Sequence, residues 1–286
     1  MTQQHEFAGE PAPRAPRAPR VWTVALACAV TFTGIAMLAV VALLVVTLAH
    51  PQRPVPDATA SLFSTLPGLL AMAGASTAWI LFVALVAGRA SPEPLLFRLG
   101  LVAPRLRHAA TWVVAIAGGL ALSQAIDFAL RLSGVGRGIS LEQMIAILRQ
   151  ASGPWLAVTV LVVGLGAGVA EELLFRGYVQ RRLVARFGDV AGVASAAALF
   201  ALAHFDPQHS AFAFVFGLYL GAVALWTGST WPAIAIHVVN NVTSVLLVAA
   251  RLDDAAMDAP RLVLLGLVAG LAGLAIGAMT WVRRRG

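Results

Sequence analysis

The sequence predicts an all-α protein that crosses a membrane several times. Of its 286 residues, 59% are hydrophobic and 12% are charged, and the mean hydropathy is +0.85. A soluble domain carries about 25% charged residues. The apolar residues fall into stretches of about 20, the length that a helix needs to cross the hydrocarbon core. These stretches are too numerous for a cleaved signal peptide to explain them.

Eight apolar stretches are long enough to span, and short links rich in proline, glycine and aspartate separate several of them. A basic, partly apolar segment at 89–107 is expected to lie along the membrane surface, and 132–153 to hold a short interfacial helix. We therefore expect eight transmembrane helices. The predicted spans are 21–49, 62–88, 109–130, 154–175, 190–206, 210–227, 231–250 and 260–282.

The predicted helices divide the chain into four parts. Residues 1–20 are rich in proline, alanine and arginine and are expected to form a disordered cytoplasmic tail. Residues 21–150 contain helices one to three with their interfacial segments, and 151–250 contain helices four to seven. Residues 251–286 contain helix eight and a basic cytoplasmic end.

The basic residues predict the orientation of these helices. All 20 of them are arginines. With the N-terminus inside, thirteen lie on the inner side and six on the outer side, and Arg176 lies near the membrane. This asymmetry predicts a protein of the cell inner membrane with both termini in the cytoplasm. Although the pI is near 11.3, arginines at helix ends are typical of topology signals that meet lipid headgroups, so nucleic acid is not an expected partner.

Two adjacent glutamates are the most informative feature of the sequence. An ionisable side chain at the bilayer centre costs roughly 2.5–3.5 kcal/mol on insertion scales, so such residues are expected to meet partners. Glu172 and Arg176 are four residues apart, share a helix face and predict an ion pair that serves as a structural brace. Glu171 points elsewhere and has no local cation, which suits a general base. The alternative is that both glutamates are charges at a helix end near the membrane interface.

Two later apolar stretches contain histidines. His204 ends the predicted fifth helix, one turn after Phe200, and His237 shares a face of the seventh helix with Asn241. Two donors on one face can stabilise an oxyanion, whereas Asn240 diverges from that face and is expected to form a hydrogen bond between helices. Counted from the helix ends, His237 lies about 9 Å deep and His204 about 22 Å deep. They meet only if the fifth helix is tilted or starts beneath the surface, or if the interior is a water-filled funnel.

Other polar and small residues receive structural interpretations. His50, His108 and His209 fall at predicted helix ends and are expected to be solvated. The glycine-rich run at 164–168 is expected to be a close-packing face for a neighbouring helix.

Several intramembrane chemistries lack their residues in this sequence. A His-Glu-x-x-His zinc helix and a Gly-x-Ser-x-Gly nucleophile motif are both missing from it. Asp127 is the one aspartate deep enough for a paired-aspartate mechanism, which needs two. The one cysteine, Cys28, excludes an intrachain disulfide and a thiolate metal cluster.

Three motifs in order, Glu-Glu-x-x-x-Arg, Phe-x-x-x-His and His-x-x-x-Asn, resemble the CPBP family. This family comprises the type II CAAX prenyl endopeptidases and their bacterial relatives, also called Abi proteins. The resemblance covers roughly residues 154–250, while the first three helices agree only in number and hydropathy. It implies that helices four to seven form the catalytic core, with a conical or funnel-like cavity.

The resemblance also implies roles for the residues that match the motifs. Glu171 and His204 match the pair that activates a water, and His237 and Asn241 match the oxyanion site. Glu172 and Arg176, the remaining motif residues, take supporting roles.

The family has also been described as metalloproteases. In that alternative zinc is the cofactor, and its ligands are drawn from Glu171, Glu172, His204 and His237, with Glu171, His204 and His237 as the first choice. We favour a metal-free site, because pairing with Arg176 makes Glu172 a weaker metal ligand.

The leading hypothesis is an intramembrane endopeptidase that acts on a membrane-associated protein or peptide, with membrane lipids as its other partners. A non-catalytic immunity or scaffold protein is the alternative. A proton-coupled transporter is disfavoured, because paired broken helices in two related halves are not evident in the sequence.

Overall fold

The computed structural model describes residues 20–52, 54–90, 93–105, 109–132 and 139–252, together with 266–267, 269–271, 273–274 and 277. The regular structure of these residues is helical throughout. Most of the predicted eighth helix, most of the N-terminal tail, and His108 lie outside the described residues.

The described residues form ten helices before residue 252, and α7 contains two π-helical stretches, Val160–Gly166 and Leu173–Gln180. The helices are α1 (Trp22–Ala49), α2 (Val55–Phe63), α3 (Leu66–Arg89), α4 (Leu95–Arg98), α5 (Ala109–Leu132), α6 (Ile139–Leu148), α7 (Gly153–Phe187), α8 (Asp189–Leu202), α9 (Pro207–Thr227) and α10 (Trp231–Ala249).

Six of these helices, α1, α3, α5, α7, α9 and α10, are long and apolar enough to cross a membrane. They agree with six of the eight predicted spans, and the protein is therefore a multi-pass membrane protein. The fifth predicted span forms α8, which has 14 residues and is shorter than a full crossing. The short helices α6 and α4 fall in the two segments that were expected to be interfacial.

The helix that carries the glutamates continues twelve residues past its predicted end at 175. Its polar continuation stays inside the bundle because the side chains find partners there. Leu173–Gln180 is buried throughout, and the Gln180 side-chain amide donates to the Gly221 carbonyl oxygen of α9 at 2.8 Å. A hydropathy analysis ends the span at Arg176, because it does not take into account that Glu172 neutralises the charge of this residue.

The glycine-rich run packs α7 closely against α10, as predicted. A Cβ atom added at Gly164 would lie 2.8 Å from Val242, and one added at Gly168 would lie 3.0 Å from Val238. Both distances are shorter than a normal carbon–carbon contact. The two helices therefore run antiparallel in close contact, and this brings the middle of α7 beside the first turns of α10.

Candidate active site

The two glutamates lie in the middle of α7, in a short α-helical turn between its two π-helical stretches. This turn is Ala167–Glu172. π-Helical turns are rare and are frequently found at functional sites. Here they flank the only adjacent pair of glutamates in the sequence.

Glu172 and Arg176 form the predicted ion pair, and both side chains are almost completely buried. The Arg176 Nη1 atom lies 2.7 Å from Glu172 Oε1. Arg176 Nη2 donates to the Gly217 carbonyl oxygen of α9 at 3.1 Å. The guanidinium carbon also lies 4.4 Å from the centre of the Phe200 ring of α8. One arginine thus joins three helices.

His237 of α10 bridges the two glutamates. Its Nδ1 atom lies 2.8 Å from Glu172 Oε1, and its Nε2 atom lies 3.8 Å from Glu171 Oε2. An ionised carboxylate only accepts hydrogen bonds, so Nδ1 is the donor to Glu172. The assignment of Glu172 to Arg176 alone was therefore incomplete, because the same carboxylate oxygen also orients the imidazole.

Phe200 places His204 next to this group without a direct hydrogen bond to either glutamate. His204 follows α8 by two residues, and its Nδ1 atom lies 3.0 Å from the Phe200 carbonyl oxygen. The Phe200 ring lies edge-on to both imidazoles, with centroids 4.9 Å from His204 and 5.9 Å from His237. The His204 Nδ1–H donates to the carbonyl, which leaves Nε2 as the acceptor of a neutral ring.

His204 and His237 reach similar depths because the hairpin formed by α7 and α8 extends beyond the level at which α10 begins. Leu99 accepts a hydrogen bond from Thr230, at the start of α10, and a Cβ atom at Gly177 would lie 2.7 Å from the same Leu99 carbonyl oxygen. The start of α10 is thus level with Gly177, and the hairpin extends about 15 Å beyond it at 1.5 Å per residue. The sequence-based explanations did not include a hairpin that extends beyond the start of α10.

His209 lies against His204, and its predicted solvated position is wrong. The two imidazole centroids are 4.2 Å apart. The His209 side chain is half-buried. Asp206 caps α9 by accepting a hydrogen bond from the His209 backbone N–H at 2.8 Å, which turns the chain back towards His204. The sequence signal for this contact was Asp206, an aspartate that can cap a helix and lies between His204 and His209. In contrast, His50 is exposed, as predicted.

The hydrogen bond between helices that was expected of Asn240 is made by Asn241. Asn241 Nδ2 donates to the Val163 carbonyl oxygen of α7 at 3.3 Å, so Asn241, not Asn240, makes the hydrogen bond between helices. Asn240 is buried and its Nδ2 atom lies 3.4 Å from Asn241 Oδ1. Asn241 retains one amide hydrogen beyond the bond to Val163, because a carboxamide has two.

Within the described ranges, no group of three histidine, cysteine, aspartate or glutamate side chains is placed to hold a metal ion. A catalytic zinc needs three protein ligands. The metal-free site stays a prediction.

The arrangement combines a partly accessible carboxylate with buried groups that hold a histidine in place. The Glu171 side chain is 19% exposed, whereas Glu172 is fully buried. A base must reach its substrate, and an orienting group need not. The roles of Glu171 in proton transfer and of Glu172 and Arg176 in support stay predictions, with which this difference in exposure agrees.

Comparison with known proteins identifies the same part of the chain. Residues 153–243 match the family model of type II CAAX prenyl endopeptidase Rce1-like proteins. No curated protein and no solved structure matches the chain. The matched region runs from the start of α7 into α10 and includes every motif residue named above. Residues 153–243 therefore carry a domain of the CAAX prenyl endopeptidase (CPBP) family, as the three motifs predicted.

Proposed function

We propose that this protein is a membrane-embedded endopeptidase that hydrolyses a peptide bond with a water activated by Glu171 and His204. The observation that carries this proposal is the contact of His237 with both glutamates, 2.8 Å from Glu172 and 3.8 Å from Glu171. This contact brings the partly accessible Glu171 carboxylate beside His237, whose ring is oriented by Glu172. The family match supports the same class of enzyme.

The first step is the removal of a proton from water by Glu171. The Glu171 carboxylate is partly accessible. Its distance to His237 is 3.8 Å, longer than the 2.7 Å between Glu172 and Arg176. The neutral His204 ring offers Nε2 as an acceptor for the same water, because its Nδ1–H donates to the Phe200 carbonyl. The hydroxide then attacks the carbonyl carbon of the peptide bond.

The second step requires stabilisation of the oxyanion on that carbon. In this step His237 carries a proton on each ring nitrogen, so that Nδ1–H donates to Glu172 and Nε2–H, which faces the Glu171 side of the site, donates to the oxyanion. Asn241 supplies its second amide hydrogen. Collapse of the intermediate breaks the carbon–nitrogen bond, and Glu171 returns its proton to the leaving amine.

The proposed substrate is a membrane-associated protein or peptide. The family is described by its prenyl endopeptidases, but no residue of this sequence singles out a prenyl group. We place the enzyme in the inner membrane with both termini in the cytoplasm, as the arginine distribution indicates. An eighth helix over 260–282 and a funnel that opens towards the cytoplasm and lipid complete the proposed architecture.

The function is tested by comparing membrane proteomes of cells that express the wild type or Glu171→Gln. New protein termini are expected in the wild-type membranes and should be lost with the variant at equal expression. The proteins that bear these termini identify the substrate. Identical termini in both samples would favour a non-catalytic role.

The metal-free mechanism predicts that chelation leaves activity intact. Glu171→Gln removes the base, whereas EDTA or phenanthroline should change the rate less than twofold, because no proposed step uses a metal. Elemental analysis of the purified protein should find no stoichiometric zinc. Activity lost to a chelator and restored by zinc would contradict the mechanism and make Glu171, His204 and His237 the expected ligands.

A further inference from the structure

A cavity of about 900 Å³ lies at the end of the bundle that carries α4. It is bounded by the start of α1, the last turns of α7, and the 228–230 loop before α10. It does not include Glu171, His204 or His237 in its lining. The charged residues among the described lining are Arg20, Arg98, Arg176, Arg181, Arg182 and Glu93.

The cavity has an excess of positive charge. Arg176 is neutralised by Glu172, and Arg98 lies 3.9 Å from Glu93. The three other arginines form no ion pair within the described part of the chain. Arg182 is held in place because its guanidinium lies 3.6 Å from the centre of the Tyr178 ring and donates to the Tyr178 carbonyl. A fixed guanidinium in a basic cavity favours a multivalent oxyanion such as a phosphate.

The mouth of the cavity continues into an apolar surface. Trp22 lines the cavity, and with Leu26 and Val30 it forms a stripe along one face of α1. Their exposed fractions are 59%, 53% and 37%. Phe97, which also lines the cavity, is 50% exposed. Exposed aromatic residues beside basic ones are typical of the membrane–water interface.

We propose that this cavity binds the headgroup of an anionic phospholipid, whose acyl chains lie along the exposed face of α1. The phosphate contacts Arg181 and Arg182, Arg98 adds positive charge beside them although it also lies 3.9 Å from Glu93, and the chains contact Leu26 and Val30. The apolar stripe beside the arginines gives acyl chains a surface to lie on, which a free phosphate does not use. Basic pockets between membrane helices bind anionic headgroups in this way.

The binding is tested on the purified full-length protein in a neutral detergent. Phosphatidylglycerol or phosphatidylcholine is titrated in, and bound lipid is counted by native mass spectrometry. One phosphatidylglycerol is expected to bind at least tenfold more tightly than phosphatidylcholine. Arg181→Gln should weaken its binding about fivefold, and Arg98→Gln with Arg181→Gln about 25-fold, from the attraction of each arginine for an anionic lipid.

Arg186→Gln is the matched control, because Arg186 is exposed on the same part of α7 but does not line the cavity. It should bind phosphatidylglycerol as the wild type does. Equal binding of the two lipids by the wild type, or an equal loss in Arg186→Gln, would overturn the proposal. If inorganic phosphate alone binds as tightly as phosphatidylglycerol, the site takes a free anion and the lipid assignment is wrong. These measurements need no peptidase activity, so their outcome is separate from that of the proposed reaction.

Discussion

Glu171→Gln is expected to lower kcat by about 10²–10⁴-fold, the contribution of a positioned general base. Glutamine has nearly the shape of glutamate but cannot take a proton from water at neutral pH. The fold should persist, because the shortest ion-pair distance of Glu171 within the described residues is 3.8 Å, to His237. Purified wild type and variant are compared on a peptide substrate found by proteomics, with apparent Tm measured in the same detergent.

The matched control for this change is Glu142→Gln on α6. Glu142 is exposed on α6, outside the helices that carry the site residues, so the same chemical change there should leave both kcat and apparent Tm unaltered. Full activity of Glu171→Gln would exclude Glu171 as the base. A loss of activity together with a large fall in apparent Tm would show that Glu171 stabilises the fold instead.

Glu172→Ala is expected to destabilise the protein by about 3–5 kcal/mol, the cost of breaking a buried ion pair by removing one partner. Arg176 would keep its positive charge in a buried position, and His237 would lose its partner at 2.8 Å. Expression yield and apparent Tm should both fall. Arg176→Ala should show a similar loss, because it also strands one charge of the pair.

A double-mutant cycle separates support from chemistry. Glu172→Ala with Arg176→Ala should be less destabilising than the sum of the two single changes, since neither charge is then left alone. Glu142→Ala on the exposed face of α6 is the control and should change stability by no more than about 0.5 kcal/mol. If Glu172→Ala folds like the wild type but is as inactive as Glu171→Gln, the assigned division of roles between the two glutamates is incorrect.

Contacts between residues close in sequence were the ones that could be predicted. The Glu172–Arg176 pair follows from a spacing of four on a helix, and it forms even though π-helical geometry begins at Leu173. The packing of Gly164 and Gly168 follows from their lack of side chains. Six spans follow from hydropathy alone, because each crosses with few charges.

Contacts between distant residues could not be predicted in the same way. Glu172 and His237 are 65 positions apart, and no periodicity within α7 or α10 states which residue faces which. The position of His209 depends on a turn capped by Asp206, whereas its place near a predicted helix end indicated exposure. The depth of His204 depends on where α7 ends, and the charge of Arg176 concealed that end from a hydropathy analysis.

The placement of both partners of the buried ion pair on one helix has a consequence for biosynthesis. Glu172 and Arg176 are one turn apart, so they can neutralise each other as soon as α7 forms. The Gly217 carbonyl that also binds Arg176 lies 41 residues later and is synthesised roughly 2–8 s afterwards at about 5–20 residues per second. His237 emerges later still. The nascent helix can thus enter the lipid with its most costly charges already paired, and the histidine that completes the site is added to a segment that is already in the membrane.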